Sequence, residues 1–403
     1  MILNKFWKII KCNIIKKSYR KLLIIILLII GWNINASKKY YKFNRYFHER
    51  TLELINLNYT KSQYKRKGLK YLRKIKKSKL NNIPNKINHP KISVIIPIYN
   101  CKNTIELTFR SIHFQNLKDI EIILINDKSS DNTYSIISKL QKYDNRIIII
   151  NNLRNMGTLY SRSIGALYAN GEYIIGLDND DLFAFKEVLN TIYINTKIND
   201  FDIAEMKSFN IRNYSPEYKK IKNGYFIGHQ DNLILHQPEL GRFSISYKNK
   251  LAFRDHFIWG KCIKSKLYKK SVNLLGRERY SYYNCWTEDL IIVFILFNTA
   301  KSFIFLNLFG IFHIVAKSTT TNLLSNQHKL LTYLYYLEIL FDYSKDDFIT
   351  KRYIAEFALS FSNDSINNLN EKNQTYFRSV LKKLIECKYI TQNYKNKIIN
   401  KFH

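Results

Sequence analysis

The chain has 403 residues, nearly half of them hydrophobic (46%), and a formal charge of +34. Such a composition excludes a disordered polymer and leaves material for one large domain with smaller attachments. The five cysteines form no CxxC pair, which excludes a zinc ribbon or a dense disulfide framework and leaves the redox compartment open.

The charge is concentrated at one end. Residues 1–90 hold twenty-three Lys and Arg against only Glu49 and Glu53, so the basic character belongs to the N-terminal portion and not to the body of the chain. Within it, Leu22 to Trp32 is an unbroken apolar run preceded by Lys16, Lys17, Arg20 and Lys21. As a helix that run reaches about 16 Å at about 1.5 Å per residue, short of the roughly 30 Å hydrocarbon core. Three readings stay open: a signal-anchor over about 22–34 with snorkelling Arg20 and Lys21, a signal peptide cleaved near Ala36, and an interfacial helix. The signal-anchor predicts a single-pass membrane protein, of type II topology in the Golgi or endoplasmic reticulum of a eukaryote, otherwise at the cytoplasmic face of a plasma membrane. Residues 38–90 read as a basic stem. Lys65 to Lys79 is densely cationic, with Tyr71, Leu72 and Ile75 interspersed, a pattern attracted to anionic headgroups. Nucleic acid is the rival partner, disfavoured because no stacking pattern or base-reading motif accompanies the charge. A solvated tether is the plainest alternative.

From Lys91 the pattern becomes regular. Ile92–Ile98, Ile120–Ile125, Ile147–Ile150 and Tyr173–Leu177 are short apolar runs without polar alternation, the mark of strands covered on both faces. Between them lie helix-like stretches from about Asn103, from Ser129–Asp131 to Tyr143, and from about Thr158 to Ala169. Strands alternating with helices predict an α/β fold with a mostly parallel sheet flanked by helices and right-handed crossovers. Ligands of such sheets bind beyond the carboxyl ends of the strands. There the sequence puts Tyr99 and Asn100, then Asp127, then Asn155 to Arg162, then Asp178, Asp180 and Asp181. Three carboxylates in four positions repel one another, which invites Mg²⁺ or Mn²⁺ together with substrate phosphates. A solvated acidic turn capping the next helix is the other reading of that tetrapeptide. Neither GxxxxGK[ST] nor GxGxxG occurs, so the common phosphate loops are excluded.

The segments KISVIIPIYN (Lys91–Asn100), INDKSSDNT (Ile125–Thr133), NMGTLYSRSIGALYANGEYIIGLDNDD (Asn155–Asp181) and WTEDL (Trp286–Leu290) resemble family 2 glycosyltransferases of the GT-A fold. The similarity is continuous over Lys91–Asp181 and patchier to about Thr320. The resemblance implies an inverting, metal-dependent transfer of a sugar from a nucleotide-sugar donor, UDP-linked, to a carbohydrate, lipid or protein hydroxyl. It implies that Pro97 and Tyr99 border the nucleotide pocket, that Asp127 bonds the uracil ring, and that Arg162 faces the nucleotide. Where the family usually has two acids, this chain has Asn126 and Asp127. In the DxD pair, Asp178 faces the ribose and metal region and Asp180 is the direct Mn²⁺ or Mg²⁺ ligand, with Asp181 in support. Asp289, next to Glu288, becomes the general base; a helix cap is the plainer role for both. Trp259, Gly260 and Lys261 are similar to a WxK segment leading to the acceptor side, and His313 and Lys317 lie where relatives approach the diphosphate.

Leu290–Val315 is apolar but interrupted by Asn298, Lys301, Ser302 and Asn307, which predicts a core helix to about Thr299 and a strand near Phe303–Leu308 instead of a second membrane span. The predicted organisation is 1–37 basic N-terminus and anchor, 38–90 stem, 91–320 catalytic domain and 321–403 helical annex. Two rivals are a nucleotidyltransferase, which would need a glycine-rich basic loop that Tyr99–Asn103 lacks, and an inactive transferase-like binding domain. No motif between about Asp200 and Tyr283 names the sugar or the acceptor.

Overall fold

In a computed structural model the described residues are 61–83, 85–212, 224–227, 234–236, 246–247, 250–251, 257–281, 288–315, 335–336, 338–343, 354, 370–388 and 390–402. The apolar segment 22–34, the stem up to residue 60, Lys317 and the side chain of Glu288 lie outside them. Among the described residues no helix is long and apolar enough to cross a membrane.

The first half is built from α1 (Lys61–Lys77), β1 (Ile92–Ile98), α2 (Ile105–His113), β2 (Ile120–Asn126), α3 (Thr133–Tyr143), β3 (Ile147–Asn151), α4 (Thr158–Tyr168) and β4 (Tyr173–Gly176). β1 pairs in parallel with β2 and with β4, and β2 in parallel with β3. All residues of β1, β2 and β4 are buried, as runs without polar alternation require. The strand order β3-β2-β1-β4 reverses direction at β1, so a crevice opens between the carboxyl ends of β1 and β4.

The second half departs from a simple parallel sheet. It comprises β5 (Leu182–Phe183), α5 (Val188–Ile198), β6 (Ile203–Arg212), β7 (Gly224–Ile227), β8 (Ile234–His236), β9 (Ser246–Tyr247), β10 (Lys250–Leu251), β11 (Lys261–Lys264), α6 (Ser265–Leu275), α7 (Arg277–Tyr280), α8 (Glu288–Thr299) and β12 (Ser302–Val315). β11 lies antiparallel between β4 and β6, β12 runs parallel to β6, and β5 returns antiparallel on β12. The strand foreseen near Phe303–Leu308 therefore continues to Val315, past register shifts at Leu306/Phe309 and Phe309/Ile311. That continuation is what carries His313 to the crevice.

Two regions outside 91–320 join the same body. Every residue from Leu290 to Phe297 is buried, so α8 is apolar all round and must be enclosed on all sides. Tyr336, Ile339, Leu340 and Ile354 help enclose it, with Phe377, Val380 and Leu381 of α9 (Glu371–Glu386) and Ile398 of α10 (Gln392–Phe402). The C-terminal helices thus complete the core. At the other end α1 lays Leu72 and Ile75 against Leu182, Ala184, Phe309 and Phe312, and Arg110 caps it by donating to the carbonyls of Ile75 and Ser78 at 3.2 and 2.8 Å. Where the sequence suggested a solvated or lipid-facing stem, residues 61–77 dock by one face on the sheet.

Candidate functional site

The crevice is lined by turns that immediately follow strands. After β4 the chain turns over Asp178–Asp181, closed by the Asp181 N–H donating to the Asp178 carbonyl at 3.1 Å. Asn179 fixes the turn to the sheet: its Nδ2 donates to the Pro97 carbonyl at 3.1 Å, and Thr108 Oγ1 donates to its carbonyl at 2.9 Å. The next two residues form β5, and the pairing of Leu182 with Phe312 brings Asp181 beside His313.

Asp181 is fully buried. Its carboxylate accepts from His313 Nδ1 at 2.9 Å and from the Ile314 N–H at 3.0 Å. The imidazole also stacks on Trp259 (centroids 4.8 Å, 13° apart), which stacks in turn on Phe257 (4.7 Å, 26°). Burial alone would lower the pKa of His313, yet Asp181, with Asp178 and Asp180, overrides it and pushes the imidazole up to about 9. Burial, then repulsion from Asp181 and Asp178, pushes Asp180 up to about 8. Asp181 is raised as well, by burial first and against the pull of His313. Carboxylates that hold protons this far above their usual range sit in a site short of positive charge.

That shortage is the test for a cation. Ligand atoms of Asp178, Asp181 and His313 lie within 4.8 Å of one another, and oxygen and imidazole donors suit Mn²⁺ or Mg²⁺. The residues fit a divalent ion. The tightest group, however, contains Asp181 and His313, and Asp180, the ligand foreseen from the DxD pattern, stands beside it.

Arg162, on α4, joins the two halves of the site. Its Nη2 contacts Asp178 Oδ1 at 2.5 Å and its Nη1 lies 3.2 Å from Asp289 Oδ1. Asp289 stands at the start of α8, where the Ile258 N–H donates to its Oδ2 at 3.4 Å. The acidic turn and the WTEDL acid, remote along the chain, therefore share one guanidinium.

Asp127 occupies a different setting. It is buried at the N-terminus of α4, and its Oδ1 accepts from Met156 N–H and Asn152 Nδ2, both at 2.7 Å, while Oδ2 accepts from Gly157 N–H at 2.8 Å. Gly157 has φ 86°, a left-handed value that glycine adopts without strain, which lets consecutive N–H groups converge on the carboxylate. Asp127 thus anchors the β3–α4 loop. Tyr99 is half exposed (48%) beside it at the end of β1, and Pro97 contributes a carbonyl, already taken by Asn179. Lys261 of the WxK segment is fully buried, 2.8 Å from Glu205 and donating to the Phe257 carbonyl at 2.7 Å. Its role in this structure is internal.

Residues 93–263 match the family model described as Glycosyl transferase family 2. The chain is 37% identical over 135 residues to the UDP-Glc:alpha-D-GlcNAc-diphosphoundecaprenol beta-1,3-glucosyltransferase WfaP of Escherichia coli, covering 34% of this chain and 50% of that protein. It is 41% identical over 93 residues to the GalNAc(5)-diNAcBac-PP-undecaprenol beta-1,3-glucosyltransferase of Campylobacter jejuni, covering 23% of this chain and 30% of that one. The chain thus spans half or less of the length of these curated relatives. Among solved structures, S. aureus TarS 1–349 in complex with UDP-GlcNAc superposes with a TM-score of 0.54 at 16% identity, over 75% of this chain and 82% of that one. Sequence match and fold together make residues 93–263 a family 2 glycosyltransferase domain of GT-A architecture.

Proposed function

We propose that the chain transfers a hexosyl residue from a UDP-sugar, with inversion, to a hydroxyl of a saccharide carried on a lipid diphosphate. The observation that carries this reading is the shared guanidinium: Arg162 pairs with Asp178 of the acidic turn and with Asp289 of the WTEDL segment. The donor and acceptor classes are supported by the glucosyltransferases of E. coli and C. jejuni, whose names specify diphosphoundecaprenol or PP-undecaprenol substrates and, for the first, UDP-Glc.

In this scheme Arg162 pairs with Asp289 and aims it across the crevice. The acceptor O–H gives its proton to Asp289 as its oxygen bonds to the anomeric carbon, and the electron pair of the breaking C1–O bond leaves on the diphosphate. A positioned carboxylate in this role contributes roughly 10² to 10⁴ in rate. Asp178, Asp181 and His313, with Asp180 beside them, would hold a divalent cation, and the chemistry such an ion supplies is Lewis-acid neutralisation of the departing diphosphate. Tyr99 and Asp127 would border the space for the base.

The test is release of nucleoside diphosphate from a panel of nucleotide sugars with Mn²⁺, in the presence of lipid-diphosphate saccharide acceptors. A UDP-sugar preference and a loss of at least about 10²-fold in Asp180→Ala are expected. Turnover indifferent to that substitution removes Asp180 from the cation site, and absence of transfer with every donor removes the reading.

A further inference from the structure

The basic helix α1 is the feature that the transferase reading leaves unused. We infer that its outer face is a docking surface for an anionic lipid bilayer, held in fixed orientation on the catalytic domain.

The two faces of α1 are chemically opposite. Inward, Leu72 (0% exposed) and Ile75 (2%) enter the core, and Gly68 runs so close to the sheet that an added Cβ would meet the Phe312 ring at 2.5 Å. Both of its tyrosines also turn inward, Tyr64 against Phe185 and Phe309 and Tyr71 toward the Ser111 carbonyl. Outward, Arg66, Lys67, Lys70, Arg73, Lys74, Lys76 and Lys77 are all exposed, and Lys79 follows them. The helix contains no acidic residue.

Arg66, Lys70, Lys74 and Lys77 form a stripe at helical spacing, and like charges at i,i+4 repel. That arrangement opposes helix formation in isolation, so packing of the inner face is what keeps the charges aligned. An outer face dominated by cations, with its aromatic rings turned toward the protein, suits a headgroup layer. Single-stranded nucleic acid would call for rings on which bases could stack, and here both point into the protein. The location adds a reason. α1 rests on Leu182 and Phe312, the residues adjoining Asp181 and His313, so the helix is fixed to the same strands that carry the candidate site. This purpose rests on the lipid-linked acceptor proposed above; the binding itself does not, and can be measured without turnover.

The experiment uses the full chain and vesicles of phosphatidylcholine with or without 30% phosphatidylglycerol, scored by co-sedimentation. Each charge near an anionic surface contributes enough that removing four should lower the preference for anionic vesicles by at least about tenfold. The variant carries Arg66→Gln, Lys70→Gln, Lys74→Gln and Lys77→Gln, with circular dichroism and melting to show an intact fold. A second variant, Lys266→Gln, Lys269→Gln and Lys270→Gln on a separate lysine cluster of α6, should keep the preference. Retention of the preference by the α1 variant, its loss in the α6 variant, or a face that selects duplex RNA or DNA over phosphatidylglycerol would each overturn the inference. If lipid preference tracks α1 while no transfer is found, the docking surface stands and the transferase reading falls.

Discussion

Titration of a divalent cation into the acidic crevice ties the electrostatics of the site to a number. Without the ion, Asp180 is pushed up to about 8 and His313 up to about 9. Both raised values mean that the folded chain binds protons the unfolded chain would release. For Asp180, stability is fullest below about pH 4 and is lost as pH rises through about 8; for His313 it is present below about 6.5 and lost through about 9. The ion-free protein should therefore lose stability, on the order of a few kcal/mol, as pH climbs toward 9. A cation held by Asp178, Asp181 and His313 reverses the trend, because it needs His313 unprotonated and its charge disfavours a proton on neighbouring Asp180. At pH 7 binding of the ion should release protons, from His313 and from the raised carboxylates around it, and apparent affinity for Mn²⁺ should fall steeply from pH 8 to pH 6. Calorimetric titration in two buffers of different ionisation enthalpy counts the protons, and His313→Gln should reduce the count by about one. At one hundred times the dissociation constant, Mn²⁺ should stabilise by about 2.7 kcal/mol, a rise in melting temperature of several degrees. Binding that releases no proton, or an affinity flat between pH 6 and 8, would refute the reasoning.

Arg162→Lys keeps the charge but not the fork that spans Asp178 and Asp289; kcat should fall by at least about tenfold, as steady-state kinetics would show. Gly171→Ala places a Cβ 2.6 Å from the Ser93 backbone nitrogen and 2.8 Å from the Ile92 carbonyl carbon; backbone cannot yield as a side chain does, and denaturant unfolding should register a loss of about 1–3 kcal/mol or more. Lys261→Met strands Glu205 opposite a neutral group and should cost about 3–5 kcal/mol in chemical denaturation, most of it recovered by adding Glu205→Leu.

The sequence announced the parallel half of the sheet because β1 and β2 are short apolar runs buried on both faces, and polar residues stood at each strand's end for the same topological reason. Ile92–Ile98 is a strand at the residues its pattern marked. Less legible was whatever depends on register between distant segments. Nothing in linear spacing joins Asp181 to His313, 132 positions apart; the contact exists because β5 returns on β12. For the same reason Trp259 reads as part of a WxK pattern, and its stacking on His313 emerges only once β11 and β12 flank β6. Asp127 illustrates a third limit: the residue type fits a base contact, but three donors converge on it from a loop whose path Gly157 sets. In α1 the two deeply buried apolar residues are outnumbered by lysines and arginines, so periodicity alone suggested a free stem, whereas packing on Phe312 makes it part of the domain.

The account turns on Asp289 acting across the crevice from the acids that follow β4. The most direct measurement is single-turnover transfer from a saturating UDP-sugar by wild type and Asp289→Asn, with donor affinity determined on the same preparations. The account predicts a rate reduced by about 10² to 10⁴ with donor affinity unchanged to within a few fold. A variant that transfers at the wild-type rate, or one whose defect lies wholly in donor binding, would contradict it.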